Sequence, residues 1–112
     1  MTNCLFCGVA AGTIPADVVL RTDQVVAFRD INPQAPVHLL VIPVAHHRDA
    51  GALAAADPLL AGQVIQAAQS AAELQGLTDY RLVFNTGEHA GQSVFHAHAH
   101  VLGGRSLTWP PG

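Results

Sequence analysis

Three histidines, His96, His98 and His100, stand at every second position of FHAHAHVLGG, residues 95–104. In an extended strand successive side chains point to opposite faces, so the three rings share one face at intervals of about 6.5 Å, with Ala97 and Ala99 on the other. A helix would scatter them, because positions two apart do not face each other there. Three imidazoles on one face suit either a metal cage or a site in which one ring is a nucleophile and its neighbours place an anionic group. Phosphorus chemistry favours the second, since neutral imidazole attacks phosphorus well and the phosphoramidate it forms hydrolyses readily. The preceding NTGEHAGQS, residues 85–93, agrees with an anion site. Its glycines, Gly91 among them, let backbone amides approach phosphate oxygens, while Asn85, Gln92 and Ser93 add neutral donors without a repelling carboxylate.

Cys4-x-x-Cys7 is the second constellation. Two thiolates at this spacing supply half of a tetrahedral zinc site. A redox centre is the weaker reading, because the βαβ context of a thioredoxin-like motif does not follow.

The elements that must hold these groups are legible as alternating or continuous apolar runs. Strands are expected at 18–20, 25–28, 37–42, 80–84 and 94–102, giving an antiparallel five-stranded meander. Thr22-Asp23 suits a tight hairpin, and the third run, apolar on both faces apart from His38, reads as a central strand. One long helix follows it, with Asp57 as N-cap, Pro58 at the first position and Gly76 as the stop. Leu60, Val64, Ala67, Ala71 and Leu74 mark its core face. A second, short helix is expected over Leu5 to Ala11.

The length, 112 residues, fits one domain spanning 1–112, long enough to bury a core without staples. Half the residues are hydrophobic and 12% are charged, so part of the surface is expected to be covered by another subunit. The basic residues are Arg21, Arg29, Arg48, Arg81 and Arg105, scattered along a chain of net charge −3. Neither a polymeric nucleic acid nor a membrane surface finds a basic stripe here. The opening MTNCLFCGVAAG lacks a basic start before its short apolar run, and the expected location is the cytoplasm.

GQSVFHAHAHVLGGR, with WPPG at the end of the chain, resembles the histidine triad (HIT) family, whose signature alternates three histidines with apolar residues and closes on two more. AFRDINPQAPVHLLVIP, residues 27–43, resembles the family's other shared block, and WPPG is similar to the Hint branch of nucleotide-binding members. The resemblance implies an α+β homodimer in which the five-stranded sheet continues across the two subunits. It also implies hydrolysis of purine nucleoside phosphoramidates, such as adenosine monophosphate linked to an amine. His98 would be the nucleophile that carries a transient nucleotidyl group. His100 and Ser93 would contact phosphate and assist the leaving group, and His96 and His38 would belong to a supporting histidine network. Asp30 would bind the ribose hydroxyls; Phe6, Phe28 and Ile31 would enclose the base; Asn85 and Gln92 would contact phosphate; Trp109 would lie near the partner's site. The transferase branch has glutamine at the third histidine, so His100 argues for hydrolysis.

Some relatives hold a structural zinc through such a cysteine pair, one histidine after the third strand and the first histidine of the triad. Here those are Cys4, Cys7, His46 or its neighbour His47, and His96. A zinc on His96 would remove that ring from the proton network, so its two roles compete. The alternatives to a phosphoramidase are a dinucleoside polyphosphate hydrolase, which uses the same nucleophile, and a module that binds nucleotides or a partner protein with incidental catalysis.

Overall fold

The computed structural model describes residues 4–112. Five strands make one antiparallel sheet: β1 (Val18–Arg21), β2 (Val25–Arg29), β3 (Val37–Pro43), β4 (Tyr80–Phe84) and β5 (Ala99–Gly103). Helix α1 (Leu5–Ala11) precedes them, and α2 (Ala50–Ala56) and α3 (Pro58–Leu74) lie between β3 and β4. The apolar runs thus become strands where their β-branched content places them.

Two features differ from the sequence expectation. The spatial order is β1-β2-β3-β5-β4, so the sheet is not a plain meander: β5 returns to sit between β3 and β4. The α2–α3 connection crosses the sheet and delivers β4 beyond the slot that β5 later fills. The second difference is α2, an additional helix capped by the Asp49 side chain, which accepts from Ala52 N. Asp57 ends α2 and begins α3, its carboxylate accepting from Leu60 N at 3.0 Å.

β3 is the central strand and alternates between two cores. Leu39 and Val41 pack with Leu53, Leu60, Val64 and Ala68 beneath α2 and α3. Leu40 and Ile42 pack on the opposite face with Phe6, Val9, Val26 and Phe28 beneath α1. The core stripe of α3 drifts towards Ala68 and Ala72, which leaves the expected Leu74 exposed. Among the described residues no helix is long and apolar enough to cross a membrane.

The histidine segment is a strand only in part. β5 begins at Ala99, with Val41 opposite it, so His96 and His98 precede the ladder. Extending that register would set Ala97 against Pro43, which has no N–H to offer. Ala97 N donates instead to His47 O at 2.7 Å. The alternation of faces survives nonetheless: Ala97 and Ala99 lie in the core under α3, and the histidines lie on the α1 side.

Candidate active site

Between α1, β2 and the segment before β5 lies a cleft of about 350 Å³. Phe6, Phe28, Asp30, Ile31, Ser93, His98 and His100 all line it, as the sequence reading requires. Further apolar walls, among them Leu5, Val9, Ile14 and Leu40, were not foreseen. The i, i+4 spacing of Leu5 and Val9 on α1 is the signal that could have pointed to two of them. Asn85, Gly91, Gln92 and Trp109 stand outside the cleft wall, Trp109 being exposed. A larger cleft of about 560 Å³ beside Tyr80, Arg81 and Arg105 holds no comparable reactive group. Its guanidinium groups are spent on the carbonyls of Thr108, Ser106 and Gln34.

Hydrogen bonds fix the state of each ring. His98 Nδ1 lies 2.8 Å from His96 O, and a carbonyl only accepts, so Nδ1 carries the proton and Nε2 the lone pair. Gln34 N donates to His38 Nδ1 at 3.0 Å, which puts the proton of His38 on Nε2. That N–H is shared between His100 Nδ1 at 2.9 Å and Asp30 Oδ2 at 3.3 Å. His100 therefore accepts at Nδ1 and is a donor at Nε2. No buried side-chain nitrogen or oxygen among the described residues lacks a partner, so the unpartnered Nε2 atoms of His98 and His100 both reach open space in the cleft. A lone pair and an N–H thus face one volume, with ring centroids 5.0 Å apart.

Burial keeps these rings neutral. Desolvation lowers the pKa of His38 and of His98; the Asp30 carboxylate opposes it in His38, and the hydrogen bond to His96 O and then Asp30 oppose it in His98. His100 is lowered furthest, to about 4, by burial first and then by the neighbouring His98 and His38. A base depressed in the folded state stabilises the fold above its unfolded pKa, about 6.5, and loses that contribution as pH falls towards the folded value. The urea midpoint is accordingly expected to decline from about pH 6.5 to about pH 4, and His100→Gln to flatten that decline. An unaltered slope in the variant would remove His100 from the account.

The loop before the triad is held by Gln92 rather than opened by it. Its side chain is buried, Oε1 accepts from Gly87 N at 2.8 Å, and Nε2 donates to Arg48 O at 2.9 Å and Val94 O at 3.1 Å. All its amide hydrogens are thus engaged inside the protein, and Gln92 acts as a strut that places Ser93. Gly91, at φ 98°, has a backbone conformation that favours glycine. Gln92→Leu is expected to lower unfolding free energy by about 2 kcal/mol, because a buried N–H loses its acceptor. A variant of unchanged stability that binds nucleotide poorly would restore Gln92 to direct phosphate contact.

Two groups of side chains have the make-up of metal sites, Cys4, Cys7, His46 and His96 in one and Asp30, His38 and His100 in the other. Tautomers separate them. His38 carries its proton on the nitrogen that would have to ligate, so the second group is a hydrogen-bond relay. In the first, His96 Nε2 donates to Pro43 O at 2.8 Å, leaving a lone pair on Nδ1. That Nδ1 lies 3.4 Å from Cys4 Sγ, 3.5 Å from Cys7 Sγ and 3.2 Å from His46 Nδ1, and Cys7 Sγ is 3.3 Å from His46 Nδ1. Zinc bonds of about 2.3 Å to sulfur and about 2.0 Å to nitrogen give tetrahedral edges of roughly 3.3–3.8 Å, so the donor set fits. Burial pushes the Cys7 thiol up, followed by its contact with Cys4, and a cation would relieve both. His46, not His47, joins the group. His96 is buried, with its ring turned to the cysteines and its carbonyl to His98.

The HIT domain model matches residues 11–107. The chain belongs to the HIT family. Its relatives include a HIT-like protein of Synechococcus elongatus, 49% identical over 100 residues that make up 88% of each chain. Protein HitA of Neisseria gonorrhoeae is 42% identical, covering 92% of this chain and 97% of that one. The crystal structure of a HIT family hydrolase from Legionella pneumophila superposes with a TM-score of 0.93 at 48% identity, over 98% of this HIT chain and all of that one.

Proposed function

We propose that this HIT protein, as one domain spanning residues 1–112, hydrolyses purine nucleoside phosphoramidates by way of a nucleotidyl group on His98. The observation that carries the reading is the hydrogen bond from His98 Nδ1 to His96 O at 2.8 Å, which aims an unprotonated Nε2 at the cleft. Attack by Nε2 on phosphorus breaks the phosphorus–nitrogen bond and leaves the ring cationic, while the departing nitrogen takes the hydroxyl proton of Ser93, which the attacking water later restores. The bond to His96 O strengthens as that charge develops. His100 Nε2–H donates to a phosphate oxygen, and Ser93 faces the departing amine. Water then breaks the bond from phosphorus to Nε2, and the net reaction consumes one water to give nucleoside monophosphate and amine. The solved structure of a HIT family hydrolase from Legionella pneumophila supports hydrolysis as the reaction class.

Asp30, on the cleft wall, accepts from ribose hydroxyls, and the apolar walls receive the base. Cys4, Cys7, His46 and His96 hold a structural zinc, which supplies no chemistry at phosphorus and fixes α1 to the sheet. Two chains form a homodimer: β4 is an edge strand, and Leu59, Ile65, Leu74 and Trp109 leave apolar surface exposed. Incubation with an adenosine phosphoramidate and, separately, a dinucleoside polyphosphate tests the function. Faster release of adenosine monophosphate from the phosphoramidate is expected. Preference for the polyphosphate would assign the leaving group differently, and no release from either would leave a binding module.

A further inference from the structure

Gly8 sits inside α1, where a glycine weakens the helix relative to alanine. Its backbone gives no reason for that choice, since it is not among the glycines of positive φ. What remains is space. The Gly8 carbonyl accepts from Thr13 N at 2.9 Å, Ile14 N at 3.2 Å and Thr13 Oγ1 at 3.2 Å, which folds residues 13 and 14 back over the helix. A Cβ on Gly8 would overlap Ile14 Cδ1 and come within 2.7 Å of its Cγ1 and 3.4 Å of its Cβ. Ile14 is also a wall of the cleft, with Leu5, Val9 and Phe28. Ile14 thus touches α1 and lines the cleft at once, so displacing its side chain from the helix alters the cleft wall.

We propose that Gly8 is a specificity-determining residue: by letting Ile14 lie flat on α1, it sets the width of the apolar slot and admits a two-ring base. The inference rests on the nucleotide reading given above. The slot offers a base only aliphatic and aromatic surface on this side, through Leu5, Phe6, Val9, Ile14 and Phe28. Selection there is by shape, and one or two misplaced methyl groups are enough to alter it.

Calorimetric titration with adenosine monophosphate and cytidine monophosphate separates the possibilities without requiring turnover. Gly8→Ala is expected to weaken adenosine monophosphate about ten-fold, the usual effect of one methyl group in an apolar pocket, and to affect the one-ring nucleotide far less. In Gly8→Ala/Ile14→Ala only the Ile14 Cβ position, at 3.4 Å, meets the new methyl, and purine affinity is expected to return. Ile14→Ala alone, which keeps Gly8, is expected to improve binding of an adenosine monophosphate bearing a bulky N6 substituent relative to the parent. Equal losses for both bases in Gly8→Ala, no loss, no recovery in the double variant, or no gain in Ile14→Ala would each overturn the proposal. Wild-type protein that binds neither nucleotide would instead sink the nucleotide reading, and this inference with it.

Discussion

His98→Ala is expected to lower single-turnover cleavage of an adenosine phosphoramidate by about 10⁴-fold or more, because it removes the atom that forms the covalent bond. Quenching the wild type in alkaline denaturant during turnover, which spares an acid-labile phosphorus–nitrogen adduct, is expected to show a nucleotidyl group on the peptide containing His98, and the variant none. The contrast with His100→Ala carries the argument. That change removes one N–H donor to the transition state and leaves the nucleophile, so its cost is expected to be about 10²–10³. The two rings are similar in type and have centroids 5.0 Å apart, so only their tautomers predict unequal effects. His98 holds its proton against a carbonyl and presents a lone pair; His100 accepts from His38 and presents a proton. Equal losses in the two variants, or an adduct on another residue, would defeat the assignment. The fold can be checked by circular dichroism, since His98→Ala also leaves a gap beside Phe6, whose ring centroid is 5.0 Å from that of His98.

Much of this was legible in the sequence because the signals are local. The apolar, β-branched runs located four strands and the second half of the fifth, which begins at Ala99 rather than at 94, and Asp57-Pro58 located the start of α3. Strand order was not legible, because the insertion of β5 between β3 and β4 depends on pairing partners 62 residues apart, such as Leu39 and Val101, and no local pattern encodes it. Helix α2 escaped for the opposite reason. AGALAAA has one large apolar side chain, Leu53, and offers no periodicity to read.

The site divides in the same way. Alternation correctly assigned His96, His98 and His100 to one face, since that follows from an extended backbone whether or not a ladder forms. Their separate duties follow from what each touches. Pro43 ends the ladder opposite Ala97, and its carbonyl then takes the Nε2 proton of His96, which turns the lone pair of that ring towards Cys4 and Cys7. The choice of His46 over His47 depends on how the chain leaves β3, with the carbonyl of His47 paired to Ala97. Gln92 reads from sequence as a loop donor. Only its three partners show that it faces inwards.

Loss of the proposed zinc is expected to be the largest perturbation away from the chemistry. Helix α1 has seven residues, too few to persist without tertiary contacts, and Cys4 is its N-cap. The cluster joins that cap to His46 after β3 and to His96 before β5, so a bound zinc would clasp α1 over the cleft it lines. Cys4→Ser is expected to lose zinc by elemental analysis and to lower Tm by roughly 10 °C, a fall of a few kcal/mol in a chain of this size. Nucleotide affinity should fall with it, since Phe6, which packs edge-on to Phe28 and His98, is carried on α1. Turnover at saturating substrate should change less than affinity, because the carbonyl of His96 still accepts from His98 when its side chain has no metal to hold. A chelator added to wild type should reproduce the thermal shift, and zinc should reverse it. Wild-type protein that carries no zinc when purified without chelator, or a chelated protein of unchanged Tm, would leave the four side chains as a hydrogen-bonded cluster and the position of α1 to the packing of Phe6, Val9 and Ala10 alone.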